Sequence, residues 1–169
     1  DAALAGLDLG SWRLAFNGAE PVSAATLERF SERFQRCGFR DSALTPVYGL
    51  AEATLGVSFP PPGRGPLVDR VDRQALTRRG RTEPARPDDP HPLRIVSCGR
   101  SIPGHDVRIV DELGAEVADR VQGRVEFRGP AAAAGYFNNA PATRKLFHGT
   151  WIVTGDLGNL AGGELYLTG

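Results

Sequence analysis

The run TPVYGLAEAT, residues 45–54, holds a single carboxylate, Glu52, four residues past an aromatic ring, Tyr48, with Gly49 between them. Two readings suit it. A strand ending in a short helix would place an acid in that helix's first turn. A nucleotide site would use the ring for a base and the acid for a metal ion, because hard cations prefer carboxylate oxygen. Two other short strings also carry acids, NGAEP over 17–21 and TGDLG over 154–158. Each alone is weak: Asn-Gly is far more often a turn than a ligand site, and Thr-Gly-Asp recurs in many hairpins.

Other chemistries find little support. His91, His105 and His148 have no metal-ligand spacing to one another or to the cysteines, and they read as surface or structural residues. No glycine-rich loop with Lys and Ser/Thr is present to cradle a triphosphate, and no Gly-x-Ser-x-Gly elbow appears. Twenty basic residues balance twenty acidic ones, and the two signs alternate, so nothing attracts nucleic acid or an anionic membrane. No apolar run approaches the roughly 20 residues of a membrane span. The N-terminus also lacks a signal-peptide pattern. Cys37 and Cys98 are too few for a disulfide framework and read as reduced core thiols of a cytoplasmic protein. The sequence has no methionine, which suggests a piece of a longer chain. Lys145 is the single lysine against nineteen arginines, so a catalytic ammonium must be Lys145 or lie outside these residues.

The elements that must position the acids are visible in the pattern. A strand over Trp12–Phe16 runs into the Asn17-Gly18 turn. Ser23 can cap a helix whose stripe is Leu27, Phe30, Phe34 and Cys37, with Gly38 as its stop. ALTPVYG is a strand that Pro46 confines to an edge or an end. Strand, turn, helix and strand make this part α/β. Residues 59–92 hold eight of the thirteen prolines and read as an inserted loop. Within it, LVDRVDRQALTRRG can hold a strand and a short helix.

After Leu93 the pattern turns to β. DVRIVDELGAEV predicts two strands about a turn at Leu113-Gly114. GRVEFRG alternates, with Val125 and Phe127 on one side and Arg124, Glu126 and Arg128 on the other. The last twenty residues predict two short strands around glycine turns. Asn139 can cap a short helix with an early proline. The expected architecture is α/β plus β: part of an α/β subdomain over 1–58, the insertion over 59–92, and a small antiparallel barrel-like subdomain over 93–169.

Taken together and in order, AFNGAEPV, YGLAEATL, VSCGRSIPG, GYFNN and TGDLG…GELYLTG resemble the adenylate-forming superfamily of acyl-CoA synthetases, luciferases and nonribosomal adenylation domains. Within it they look most like the fatty-acyl-AMP ligases. The resemblance runs from about Trp12 to Gly169 and implies the later part of a large N-terminal domain. It implies ATP and Mg2+ as cofactors, a fatty acid as substrate, and an acyl carrier protein or polyketide synthase phosphopantetheine arm as acceptor.

By the same resemblance, Asn17, Gly18 and Ala19 lie along the adenine, and Tyr48 stacks on it beside Gly49, Leu50 and Ala51. Glu52 is the catalytic metal ligand, and Asp156 takes the ribose hydroxyls. Ala51 stands where most of the superfamily has Thr, a loss of roughly 0.5–1.5 kcal/mol if one neutral hydrogen bond goes. That substitution is common among the fatty-acyl-AMP ligases; whether Thr54 compensates is left open. Residues 68–92 resemble an insertion that acyl-CoA synthetases lack. The family's phosphate loop would lie upstream of these residues and its catalytic lysine and ribose-binding arginine downstream, so the chain alone is expected to be inactive and Lys145 a surface residue. The rival expectations are part of an acyl-CoA synthetase, or a non-catalytic nucleotide-binding or scaffold module of the same fold.

Overall fold

The computed structural model describes residues 4–169. The strands are β1 (Ala15–Asn17), β2 (Leu44–Pro46), β3 (Ser58–Phe59), β4 (Val68–Val71), β5 (Leu93–Val96), β6 (Arg100–Ser101), β7 (Asp106–Val110), β8 (Gly123–Arg128), β9 (Phe147–His148), β10 (Trp151–Ala161) and β11 (Glu164–Leu167). The helices are α1 (Ala24–Phe34), α2 (Arg73–Arg79) and α3 (Ala140–Leu146).

β1 and β2 pair in parallel, and α1 is the crossover between them. The Ser23 side chain caps α1 by accepting from the Thr26 N–H at 3.3 Å. Gly38, at φ +81°, ends the 3-10 turn that follows. Pro46 is the last residue of β2, where a missing donor does least harm. The first strand is shorter than the sequence predicts. Trp12 instead turns its indole N–H onto the Leu14 carbonyl at 2.9 Å and packs edge-on against Phe39. Ala15, Ala24, Leu27, Phe39, Ala43, Leu44 and Val96 form the core of this part.

The second part is an antiparallel sheet, order β11-β10-β8-β7 with β9 beside β10, curled into half a barrel. Its core is Tyr48, Ala53, Val57, Cys98, Ile109, Val125, Phe127, Leu146, Ile152 and Leu165. Asn139 caps α3 by accepting from the Ala142 N–H at 3.1 Å. Three details depart from the sequence pattern. The strand expected after Leu113-Gly114 shrinks to a bridge between Val110 and Glu116. TGDLG is no turn between two strands, since β10 runs unbroken through it with a register shift between Val153 and Leu157. Glu126 alternates away from Val125 and Phe127, yet it is fully buried. Arg108 at 2.7 Å and His148 at 2.9 Å satisfy its two oxygens, and the Arg108 guanidinium lies 4.3 Å over the Trp151 ring.

The proline-rich segment is largely folded. β4 pairs antiparallel with β5, so the pairing crosses the boundary expected at residue 92. Asp72 caps α2, and Gly80 at φ +60° ends it. Arg120 then binds the segment to the sheet, donating to Asp69 at 2.9 Å and to the Thr82 carbonyl at 2.6 Å. Among the described residues no helix is long and apolar enough to cross a membrane.

Candidate active site

β2 carries the chain from the first core into the second. Tyr48 donates its N–H to the Ser58 carbonyl at 3.1 Å, and its own carbonyl accepts from Val57 at 3.0 Å. Gly49 is the residue that lets the chain fold back here: a Cβ built on it would lie 1.5 Å from the Leu55 carbonyl oxygen. The return is a 3-10 turn over Ala51–Ala53, followed by Thr54 and Leu55 in the left-handed region at φ +50° and +93°. Glu52 thus sits on a short helical turn after a strand, as the plainer sequence reading expects.

The same turn also opens onto a cavity of about 590 Å³, lined by Ala19, Tyr48, Gly49, Leu50, Glu52 and Asp156, with Cys98, Thr154 and Thr168 among the other wall residues. That volume is within the usual range for small-molecule sites. The Tyr48 phenol donates to Asp156 Oδ2 at 2.5 Å. Burial, and then this hydrogen bond to a carboxylate, push the phenol far above its ordinary pKa and keep it protonated. Asp156 owes its position to the irregular stretch of β10: Gly155 takes φ +89°, and Thr154 Oγ1 both donates to the Val125 carbonyl at 2.8 Å and accepts from the Asp156 N–H at 3.1 Å. Burial raises the Cys98 thiol to about 12, so it is inert at neutral pH.

Asn17, Gly18 and Ala51 do not line the cavity. The Asn17 carbonyl accepts from the Val47 N–H at 2.9 Å, and a Cβ on Gly18 would come within 2.8 Å of the Val47 carbonyl oxygen. These two residues therefore back the wall that Val47 and Tyr48 form. The positive φ of this turn belongs to Ala19, at +66°, which does face the cavity. Ala51 is exposed. The Tyr48 ring is only 6% exposed and joins the wall as part of the core. Thr54 turns its hydroxyl to the Ala131 carbonyl at 3.0 Å, so it does not replace the hydroxyl missing at Ala51.

Glu52 has a partner that its neighbouring sequence does not reveal: the Tyr136 hydroxyl donates to its Oε1. Tyr136 belongs to GYFNN, a string with no acid and 84 residues away, so spacing gave no sign of the contact. The described residues include no group of three or more His, Cys, Asp or Glu able to enclose a metal. A single carboxylate still suits Mg2+, which keeps several waters and binds through one or two carboxylates plus substrate phosphates.

The sequence profile described as AMP-binding enzyme matches residues 2–137. The chain belongs to the AMP-binding enzyme family. Among its relatives in the family, a medium-chain-fatty-acid–[acyl-carrier-protein] ligase, TtuA of Teredinibacter turnerae, is 37% identical over the whole chain. The ligase of the same description, JamA of Moorena producens, is 41% identical over 98% of it. The crystal structure of the fatty acyl-adenylate ligase from L. pneumophila, in complex with acyl adenylate and pyrophosphate, superposes with a TM-score of 0.91 at 36% identity over the whole chain. The chain spans 28% of TtuA, 30% of JamA and 31% of that structure's chain.

Proposed function

We propose that these residues form the nucleotide-holding part of a fatty-acyl-AMP ligase, a longer protein that activates a fatty acid with ATP and passes the acyl group to an acyl carrier protein. The observation that carries the reading is the convergence of Tyr48, Glu52 and Asp156 on one cavity. The names of the two ligase relatives support the substrate and acceptor.

In this reading Asp156 accepts from the ribose hydroxyls, with Oδ2 already oriented by the Tyr48 phenol. The adenine lies along Tyr48, Gly49 and Leu50, facing Ala19, while Asn17 and Gly18 keep the wall in place from behind. Glu52 would hold Mg2+, which when bound offsets charge on the phosphates. The fatty carboxylate oxygen forms a bond to the α-phosphorus as the bond to pyrophosphate breaks. The carrier thiol then takes the acyl group, and AMP leaves. Positioning and charge stabilisation supply the rate. The folded segment at 68–92 serves as the family-specific insertion, and its tie to Arg120 suits a fixed element better than a loose loop. The two free, buried thiols, Cys37 and Cys98, suit a reducing compartment such as the cytoplasm.

The test is mass spectrometry of the full-length protein incubated with ATP, Mg2+ and fatty acids of graded length. Acyl-AMP is expected, with onward transfer to holo carrier protein and not to coenzyme A. Efficient transfer to coenzyme A would make the protein an acyl-CoA synthetase. Absence of any acyl-AMP would leave a non-catalytic module.

A further inference from the structure

Glu52 does not hold its position alone. Its main-chain carbonyl accepts from the Ala133 N–H at 2.7 Å, Thr54 Oγ1 donates to the Ala131 carbonyl at 3.0 Å, and the Tyr136 hydroxyl donates to Oε1. Residues 131–136 therefore form a strap along the outside of the turn. The strap is itself tied to α3: the Tyr136 N–H donates to Thr143 Oγ1 at 2.9 Å, and that hydroxyl donates to the Asn139 carbonyl at 2.9 Å. Gly135, at φ +141°, permits the close approach, since a Cβ there would lie 2.5 Å from Thr143 Cγ2. At the far end of α3, Leu146 is anchored in the barrel core. A continuous path thus runs from the core through α3 and Tyr136 to the carboxylate.

Tyr136 is 43% exposed, so its ring adds little to the core. Its directed contact is the one to Glu52. Among the described residues no other side chain donates to that carboxylate. A glutamate side chain loses up to about 2 kcal/mol of rotamer freedom when it is fixed. A partner that fixes it beforehand removes part of that cost from the ligand-binding step. Oε1 is held by this bond, and Oε2 has no hydrogen-bond partner among the described residues.

We infer that Tyr136 is a positioning residue for Glu52, orienting the carboxylate through Oε1 so that a divalent cation bound with the nucleotide meets it preformed. The inference rests on the reading of Glu52 as the metal ligand. Outer partners of a metal ligand are commonly worth ten-fold or more in metal affinity. Tyr136→Phe should therefore weaken metal binding without disturbing the fold of an exposed ring.

The experiment uses full-length protein and Mn2+ as a spectroscopic stand-in. Bound Mn2+ is measured by electron paramagnetic resonance in the presence of ATP, for wild type, Tyr136→Phe, Glu52→Gln and the double variant. Metal-free AMP binding and thermal midpoint serve as controls. Tyr136→Phe is expected to raise the half-saturating Mn2+ concentration about ten-fold while AMP binding without metal stays within two-fold. In the Glu52→Gln background it should add nothing. If Glu52→Gln weakens Mn2+ binding and Tyr136→Phe does not, the positioning role falls while the metal-ligand reading stands. An equal effect of Tyr136→Phe in both backgrounds also overturns it, because Tyr136 would then act independently of Glu52. If Glu52→Gln itself leaves Mn2+ binding unchanged, the metal-ligand reading falls, and this inference with it.

Discussion

Tyr48 and Asp156 are separated by 108 residues in sequence, and their side chains meet at 2.5 Å. This contact gives two predictions for single residues. Tyr48→Phe removes a hydrogen bond to a charged group, worth about 1.5–3 kcal/mol at most. Because Asp156 is partly exposed and can turn to water, a loss near the lower end is expected in a denaturant titration. The second prediction concerns ionisation. Burial, then the bond to Asp156, raise Tyr48; the bond to Glu52, then burial, raise Tyr136; burial raises Tyr166. These are all three tyrosines of the chain. A folded-state pKa raised above the unfolded value of 10.0 contributes stability that is complete below pH 10 and is lost as pH climbs through the folded value. An ultraviolet titration should therefore show little phenolate at pH 10, with the main rise coinciding with unfolding. A clean titration of three phenols near pH 10 in the folded state would refute this. Glu52 and Asp156 stand out in the sequence as acids in short uncharged strings, and both line the cavity. Tyr136 does not stand out, because a lone aromatic in a polar string carries no sign of what it will touch.

At the level of elements, the Gly49 turn and the Glu164 network matter most. Gly49→Ala would drive a methyl into the Leu55 carbonyl. We expect a loss of about 1–3 kcal/mol or more, together with loss of nucleotide binding, readable by thermal denaturation and AMP titration. Glu164 on β11 accepts from Ser97 at 2.6 Å, Arg64 at 2.9 Å and Arg100 at 3.3 Å. It joins the proline-rich segment, the loop after β5 and the sheet. Burial alone would raise its carboxyl, but the Arg64 and Ser97 hydrogen bonds, the Arg64 charge and the Arg100 hydrogen bond outweigh that and hold it below its ordinary value of about 4.5. A depressed folded value contributes stability that is present above about pH 4.5 and is lost as pH falls through the folded value. Glu164→Gln should flatten the acid side of the stability curve. Equal acid sensitivity in variant and wild type would contradict it. The helix starts at Ser23 and Asn139 were readable because these caps announce themselves locally, whereas the Asp72 cap came only with the structure. The unbroken β10 was not readable, since Thr-Gly-Asp reads as a turn and the pairings with β8, β9 and β11 that hold the strand on either side of it are long-range or set by register. Buried Glu126 was hidden for the same reason: its partners Arg108 and His148 are set by sheet register.

For the molecule as a whole, the decisive feature is that one chain segment, 44–58, serves both cores. Leu44 belongs to the α/β core, and Tyr48, Ala53 and Val57 belong to the barrel core. The cavity lies where they meet, with Ala19 contributed from one side and Asp156 from the other. Ligand sites commonly form at such junctions. The mixed α/β and β character of the chain was readable from hydrophobic period together with turn, cap and proline signals. The shared use of segment 44–58 by the two cores was not, because a short strand and turn show no local sign of which residues will enter which core. The central claim is best tested by a crystal structure of the full-length protein with a bound acyl-adenylate. The account predicts both ribose hydroxyls within about 3.2 Å of the Asp156 oxygens, the adenine along Tyr48 to Leu50, and the Glu52 carboxylate turned toward the phosphate. An adenylate bound elsewhere, with Asp156 still engaged only by Tyr48, would contradict it.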